Sequence, residues 1–317
     1  GVIPLAVYNQ LAFGSVFHVG YADVPNQRSG FFGVTVPKPG VALQLLFSSH
    51  GLLVLAPVVG LGVAGTVLLH KRGFRHEAAV VAAVALGFLA YSSGYFLPFG
   101  GAVPASRFLI ATLPFLCFPL ALAYRRWPGP TIGLAAASIV ALGIPTITRP
   151  LPGGETDPQT WTNLLEGGHL SPTVVSMFKV HNEWLALAPT FGAALLAVVL
   201  AVRAAPRLTV GWRSAAAGVA IVAAWAVFAM FGPHDLGLDR AAAKTLTADK
   251  SVAHVQGLNH RPLIDLVLFS LAGSALALGS MLAASRLRAR RDPPPAAPSG
   301  GRTDRPPPVP VEAATPR

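Results

Sequence analysis

The chain has 317 residues, of which 53% are hydrophobic and only 12% charged, more apolar surface than a water-soluble domain of this length could cover. Its formal net charge of +11 would suggest nucleic acid as the partner of a soluble protein. Here the basic residues gather in short gaps between apolar runs, as cytoplasmic membrane loops do, so the composition indicates a polytopic membrane protein with no nucleic-acid role.

The expected fold is all-α, a transmembrane helical bundle, because a helix crossing the hydrocarbon core needs about 20 largely apolar residues. The chain opens on "GVIPLAV" with no charged n-region, so it does not read as a signal peptide. It is expected to be the interior of a longer protein, cut within or just before a span. The apolar runs are 1–17 (truncated), 51–70, 77–97, 107–124, 129–148, 184–202, 214–232 and 263–285, about eight spans. "GLGVAG", Gly60 to Gly65, superficially matches a dinucleotide-binding glycine pattern but falls inside a span, where small residues serve helix packing. Pro57, Pro114, Pro119, Pro145 and Pro189 fall inside or near the ends of spans, which membrane helices tolerate.

The gaps sort by charge. Lys71, Arg72 and Arg75 fill one, Arg125 and Arg126 a second, and Arg203, Arg207 and Arg213 a third, while Arg286, Arg288, Arg290 and Arg291 follow the last span. If the spans alternate, all four groups fall on one side, which is then cytoplasmic in a cell membrane. The other side receives the long connections 18–50, 98–106, 149–183 and 233–262, with Asp23, Glu155, Asp157, Glu166, Glu183, Asp235, Asp239 and Asp249. The apolar residues of Gln159 to Trp184, from Trp161 to Phe178, suggest short amphipathic helices on the outer interface. The segment 292–317, "DPPPAAPSGGRTDRPPPVPVEAATPR", has little to bury and is expected to be a disordered Pro-rich cytoplasmic tail after a membrane domain of 1–291.

No phosphate loop, zinc-protease motif or nucleophile elbow is present. Cys117, the single cysteine, permits no intramolecular disulfide, and the nine histidines lack ligand spacing, so no metal or other cofactor is expected. Polar residues concentrate on the outer side: Tyr8, Asn9, Gln10, His18, Tyr21, Asp23, Asn26 and Arg28, then Lys38 and His50. Tyr8, Asn9 and Gln10 sit within an apolar stretch, where polar side chains usually line a cavity. Arg107 opens the fourth span from the same side. Such an arginine either anchors the helix end by reaching to the interface or holds an anionic group there.

Three stretches, "YNQLAFGSVFHVGY", "SSHGLLVLAPVV" and "FGGAVPASRFLIATLPFLCFPLA", bring a family into view. In order and spacing the chain resembles, over residues 8–120, the later half of bacterial GT-C type glycosyltransferases that use polyprenyl-phosphate sugars. Protein mannosyltransferases and aminoarabinose transferases are of this kind. The matching residues include Tyr8, Asn9, Phe13, Gly14, Gly20, Tyr21, Gly51, Pro57, Gly100, Gly101, Arg107 and Pro114. Departures are Val16 for a proline, His50 for an arginine, Leu55 and Ala56 for tyrosine and serine, and Pro104-Ala105-Ser106 for the aromatic-Gly-Pro before the arginine.

The resemblance implies transfer of a mannose-like sugar from a polyprenyl-phosphate donor to an acceptor hydroxyl at the extracytoplasmic face. It also implies a catalytic carboxylate N-terminal to these residues, so no catalytic residue is assigned within them. A cation facing the leaving lipid phosphate would stabilise its charge. Arg107 is the first candidate, with His50 and Arg28 behind it and Tyr8 and Asn9 as further donor-binding residues. The partners implied are the lipid-linked donor and membrane lipid. The alternatives are a multi-span transporter, which would have paired broken helices and mid-membrane charges, neither evident in the sequence, and a non-catalytic membrane scaffold.

Overall fold

The structure is a computed structural model that describes residues 2–16, 33–100, 106–148, 158–180, 182–204, 211–247 and 263–291. Arg28 and the tail 292–317 lie outside the described residues. Among the described residues the fold is all-helical, with no strand beyond one antiparallel bridge between Val34 and Tyr95. In chain order the helices are α1 (Val2–Phe13), α2 (Pro39–Phe47), α3 (Leu52–Leu55), α4 (Val58–Lys71), α5 (Arg75–Gly94), α6 (Leu113–Arg126) and α7 (Pro128–Thr148). There follow α8 (Pro158–Glu166), α9 (Glu183–Ala186), α10 (Ala188–Ala204), α11 (Trp212–Asp235), α12 (Leu238–Thr247) and α13 (Ile264–Arg291).

Among the described residues five helices are long and apolar enough to cross a membrane: Arg75–Gly94, Arg107–Arg126, Pro128–Thr148, Trp212–Asp235 and Ile264–Arg286. A sixth crossing is added if the bent pair Pro39–Leu55 and Val58–Lys71 counts as one. The difference from about eight has a physical origin in each of three runs. The 12 residues of α1 rise only about 18 Å, short of the roughly 30 Å hydrocarbon core. The run 184–202 divides at Leu187 into α9 and the 17-residue α10. The run 51–70 is not straight: it breaks at Ala56 and Pro57, where the two arms meet at 94°.

Contacts set the helix directions. Gly62 of α4 lies against Leu116 of α6 and Gly65 against Pro119, so these two helices run parallel. Gly129 of α7 meets Ser214 of α11, and Gly133 meets Val222, another parallel pair. Val140 packs on Gly273 while Gly133 packs near Leu278, so α13 runs antiparallel to α7. One end of the bundle therefore collects Lys71, Arg72, Arg75, Arg125, Arg126, Arg213 and Arg286. The opposite end carries α2, α3, α8 and α12.

Packing differs between the two ends. Near the basic end the helices meet backbone to backbone. A Cβ on Gly129 would stand 1.8 Å from the Ser214 carbonyl oxygen, and one on Gly65 2.2 Å from that of Pro119. Small residues at such crossings are the device of membrane helices, which gain little from apolar burial alone. Thus "GLGVAG" works through Gly62 and Gly65. Toward the other end lies the side-chain core, with Leu45, Val54, Leu55, Ile144, Trp161, Leu266 and Val267 among its buried members. Outside it, Val63, Val80, Leu86, Phe118, Ile139, Val227 and Leu276 are exposed around the bundle, an apolar belt that a bilayer would cover.

Candidate functional site

The break between α3 and α4 leaves helix-end backbone groups deep in the fold, where each needs a partner. Two side chains from neighbouring helices supply them. Trp225 of α11 donates its Nε1–H to the Val54 carbonyl at 3.0 Å, and Ser138 of α7 accepts the Val58 N–H at 3.1 Å. Non-helical backbone is thereby held inside protein.

The turn from α2 to α3 carries the "SSH" of the second stretch. Ser48 and Ser49 are fully buried, and His50 is 3% exposed. The Ser49 N–H donates to Oδ1 of buried Asp239 on α12 at 2.7 Å. Ser49 Oγ and His50 Nδ1 lie 3.2 Å apart, the donor depending on the imidazole tautomer. The His50 ring stands edge-on to Trp161 of α8, centroids 6.3 Å apart. One turn earlier, Gln44 Oε1 accepts the Thr245 hydroxyl of α12 at 2.8 Å. These contacts tie α2, α8 and α12 into a cap over the core. Ser48 Oγ is buried with no hydrogen-bond partner among the described residues.

Arg107 belongs to a second group of contacts. It follows Ser106, a buried residue with φ of 52°, a backbone region L-residues seldom occupy. Ser106 donates its hydroxyl to the Pro98 carbonyl at 3.3 Å, and the Arg107 N–H donates to that of Phe99 at 3.2 Å. Gly100, with φ of +75°, folds back so closely that a Cβ would lie 3.0 Å from Arg107 Cβ. The arginine thus opens a 3₁₀ turn, Arg107–Thr112, that leads directly into α6. Its guanidinium carbon lies 5.3 Å from the centre of the Phe108 ring. Phe108 is edge-on to both Tyr91 and Tyr95, and those two tyrosines stack at 5.3 Å. Arg107 is exposed, and among the described residues no carboxylate pairs with it.

The remaining candidates are elsewhere. Tyr8 is 59% exposed on α1, edge-on to Phe13, and Asn9 donates its side-chain amide to the Val16 carbonyl at 3.3 Å. No extensive contact joins α1 to another described helix, so the described residues build no cavity wall there. The segment from Gln159 to Trp184 holds the short helix α8 and a 3₁₀ turn, and the two differ in burial. Trp161 is 1% exposed and belongs to the core, whereas Val174, Met177 and Phe178 of the turn Val174–Phe178 are about three-quarters exposed. Half of that segment plugs the bundle and half projects from it.

Asp239 and Trp161 were missed as organising residues because their partners lie 190 and 111 positions away. Among the described residues no three His, Cys, Asp or Glu side chains gather as a metal site requires. No family model, curated protein or solved structure matches the chain.

Proposed function

We propose that this chain is the donor-binding part of a membrane glycosyltransferase that moves a mannose-like sugar from a polyprenyl phosphate to an acceptor hydroxyl at the extracytoplasmic face. The observation that carries the reading is Arg107: an exposed guanidinium, backed by Phe108, at the mouth of an apolar helix and away from the basic end. In this reading the basic end is cytoplasmic and α1 and α10 belong to further crossings. The acceptor oxygen attacks the anomeric carbon, the bond to the lipid phosphate oxygen breaks, and the phosphate leaves with the electron pair. A carboxylate outside these residues takes the acceptor proton. Arg107 pairs with the charge growing on the phosphate. Buried His50 enters as the residue that seats the α2–α3 turn, with Arg28, Tyr8 and Asn9 as donor-side contacts.

The test is transfer by the intact protein in membranes. A hydrogen bond to a charged group contributes roughly 1.5–3 kcal/mol, so Arg107→Met should cut turnover by at least about tenfold with expression unchanged. Arg107→Lys should retain part of the activity, since it keeps charge and loses the planar fork. Normal transfer by Arg107→Met removes the residue from the site. Lys equal to Arg, with Met merely poorly inserted, would make it an interfacial anchor.

A second reading, a transporter, is favoured by the buried break between α3 and α4, since broken helices line transport sites. Solute flux by the protein in liposomes, with no sugar transfer, would select it.

A further inference from the structure

Two short connections carry most of the charge of the basic end. Lys71 and Arg72 close α4, and Arg75 opens α5 across a turn that Gly73 makes with φ of +95°. Arg125 and Arg126 close α6, and α7 starts at Pro128. Gly62 meets Leu116 and Gly65 meets Pro119, so both contacts between α4 and α6 share one offset. Carried to the helix ends, that offset sets Lys71 level with Arg125 and Arg72 level with Arg126. The two connections therefore stand side by side on helices whose backbones touch. All five cations are exposed, and among the described residues none makes an ion pair. Helix dipoles favour cations where α4 and α6 end, but Arg75 opens α5 at the positive end of its dipole, with no side-chain cap. Like charges gathered this closely repel, and an anion between them relieves the repulsion.

Each helix also carries exposed apolar residues leading up to its cations. Val63 and Val67, both about half exposed, precede Lys71 on one face of α4, and Phe118, 64% exposed, precedes Arg125 on one face of α6. Cations at the membrane edge with apolar residues running inward match a phospholipid, phosphate at the edge and acyl chains inward. A free phosphate ion would use the cations and leave the apolar faces bare. Two such faces side by side match a lipid that joins two phosphatidyl groups. We propose that the basic end binds a lipid with two phosphodiesters, of the cardiolipin type, one phosphate at Lys71, Arg72 and Arg75 and the other at Arg125 and Arg126. The lipid supplies the counter-charge of both connections and clamps α4 to α6 at the end that lacks the side-chain core. The site lies away from Arg107 and is independent of the glycosyltransferase reading.

The experiment is native mass spectrometry of the full chain in neutral detergent, titrated with cardiolipin at an ionic strength of about 0.15 M, where exposed charges more than about 8 Å apart are screened. A cation beside a lipid phosphate contributes roughly fivefold in affinity, so Lys71→Gln with Arg125→Gln should weaken binding about twentyfold. Both side chains are exposed, so the melting temperature without lipid should hold. If it falls, the single variants carry the test at about fivefold each. Arg213→Gln with Arg286→Gln removes the same charge from the same end and should leave affinity within about twofold. Phosphatidylglycerol, with one phosphodiester, should bind at least about tenfold more weakly. Equal losses in the two double variants would mean diffuse attraction to the whole basic end, and the site falls. Phosphatidylglycerol binding as tightly as cardiolipin overturns the two-phosphate fit. Displacement of cardiolipin by millimolar inorganic phosphate replaces the lipid with a phosphate ion and overturns the proposal.

Discussion

Asp239 shows how one carboxylate can position a segment 190 residues away. Its Oδ1 accepts the backbone N–H of Ser49, a residue with no exposure of its own. An unpaired buried donor costs about 1–3 kcal/mol, and bonds to a charged acceptor are the stronger ones. Asp239→Ala should therefore lower the melting temperature in detergent clearly, and Asp239→Asn, which keeps a carbonyl acceptor, should lower it less. Equal melting of wild type and Asp239→Ala would mean that α12 does not hold the α2–α3 turn. The sequence marked Asp239 only as an acid in an outer connection. It marked His50 as a possible phosphate ligand, where the structure gives it Ser49 and Trp161 as neighbours.

Among the helices, glycine position decides which can touch. Gly65 and Gly129 sit where any side chain would enter the neighbouring backbone, while Gly143 and Gly192 face open space. Gly65→Leu and Gly129→Leu should each unfold the bundle at markedly lower temperature, because a whole helix must move to relieve the overlap. Gly143→Ala should be neutral or slightly stabilising, since alanine favours helix by about 1 kcal/mol over glycine. Thermal scans of the purified protein separate the two classes, and a neutral Gly65→Leu would break the parallel packing of α4 on α6. The break at Ala56 and Pro57 makes the same point for backbone. Pro57 hinted at it, but tolerance of the break depends on Ser138 and Trp225, 80 and 171 residues from the groups they satisfy.

For the whole molecule the basic end is the reference. In a Cys117→Ser background, Arg72→Cys and Arg126→Cys should stay shielded from a membrane-impermeant thiol reagent in intact cells, and Lys179→Cys, beside the projecting turn, should react. Labelling of all three alike would contradict a single basic face turned to the cytoplasm, and the reverse pattern would invert the proposed site. Replacing Cys117 is required because it is exposed on α6.

Composition alone determined that the chain is helical and suited to a membrane. Helices satisfy their own backbone groups within about 20 consecutive residues, so long apolar runs announce themselves locally. Grouping of Lys and Arg in short gaps likewise anticipated the basic end, because charge position along the chain needs no partner to be seen. Only the tertiary structure decided which apolar runs stay straight, that Trp161 plugs the core, that Tyr8 and Asn9 stand on a helix with little packing, and that Tyr91, Phe108 and Arg107 meet through ring contacts. Each of these depends on residues distant in sequence brought to the same place, and apolar periodicity along one helix carries no record of which neighbour will meet it.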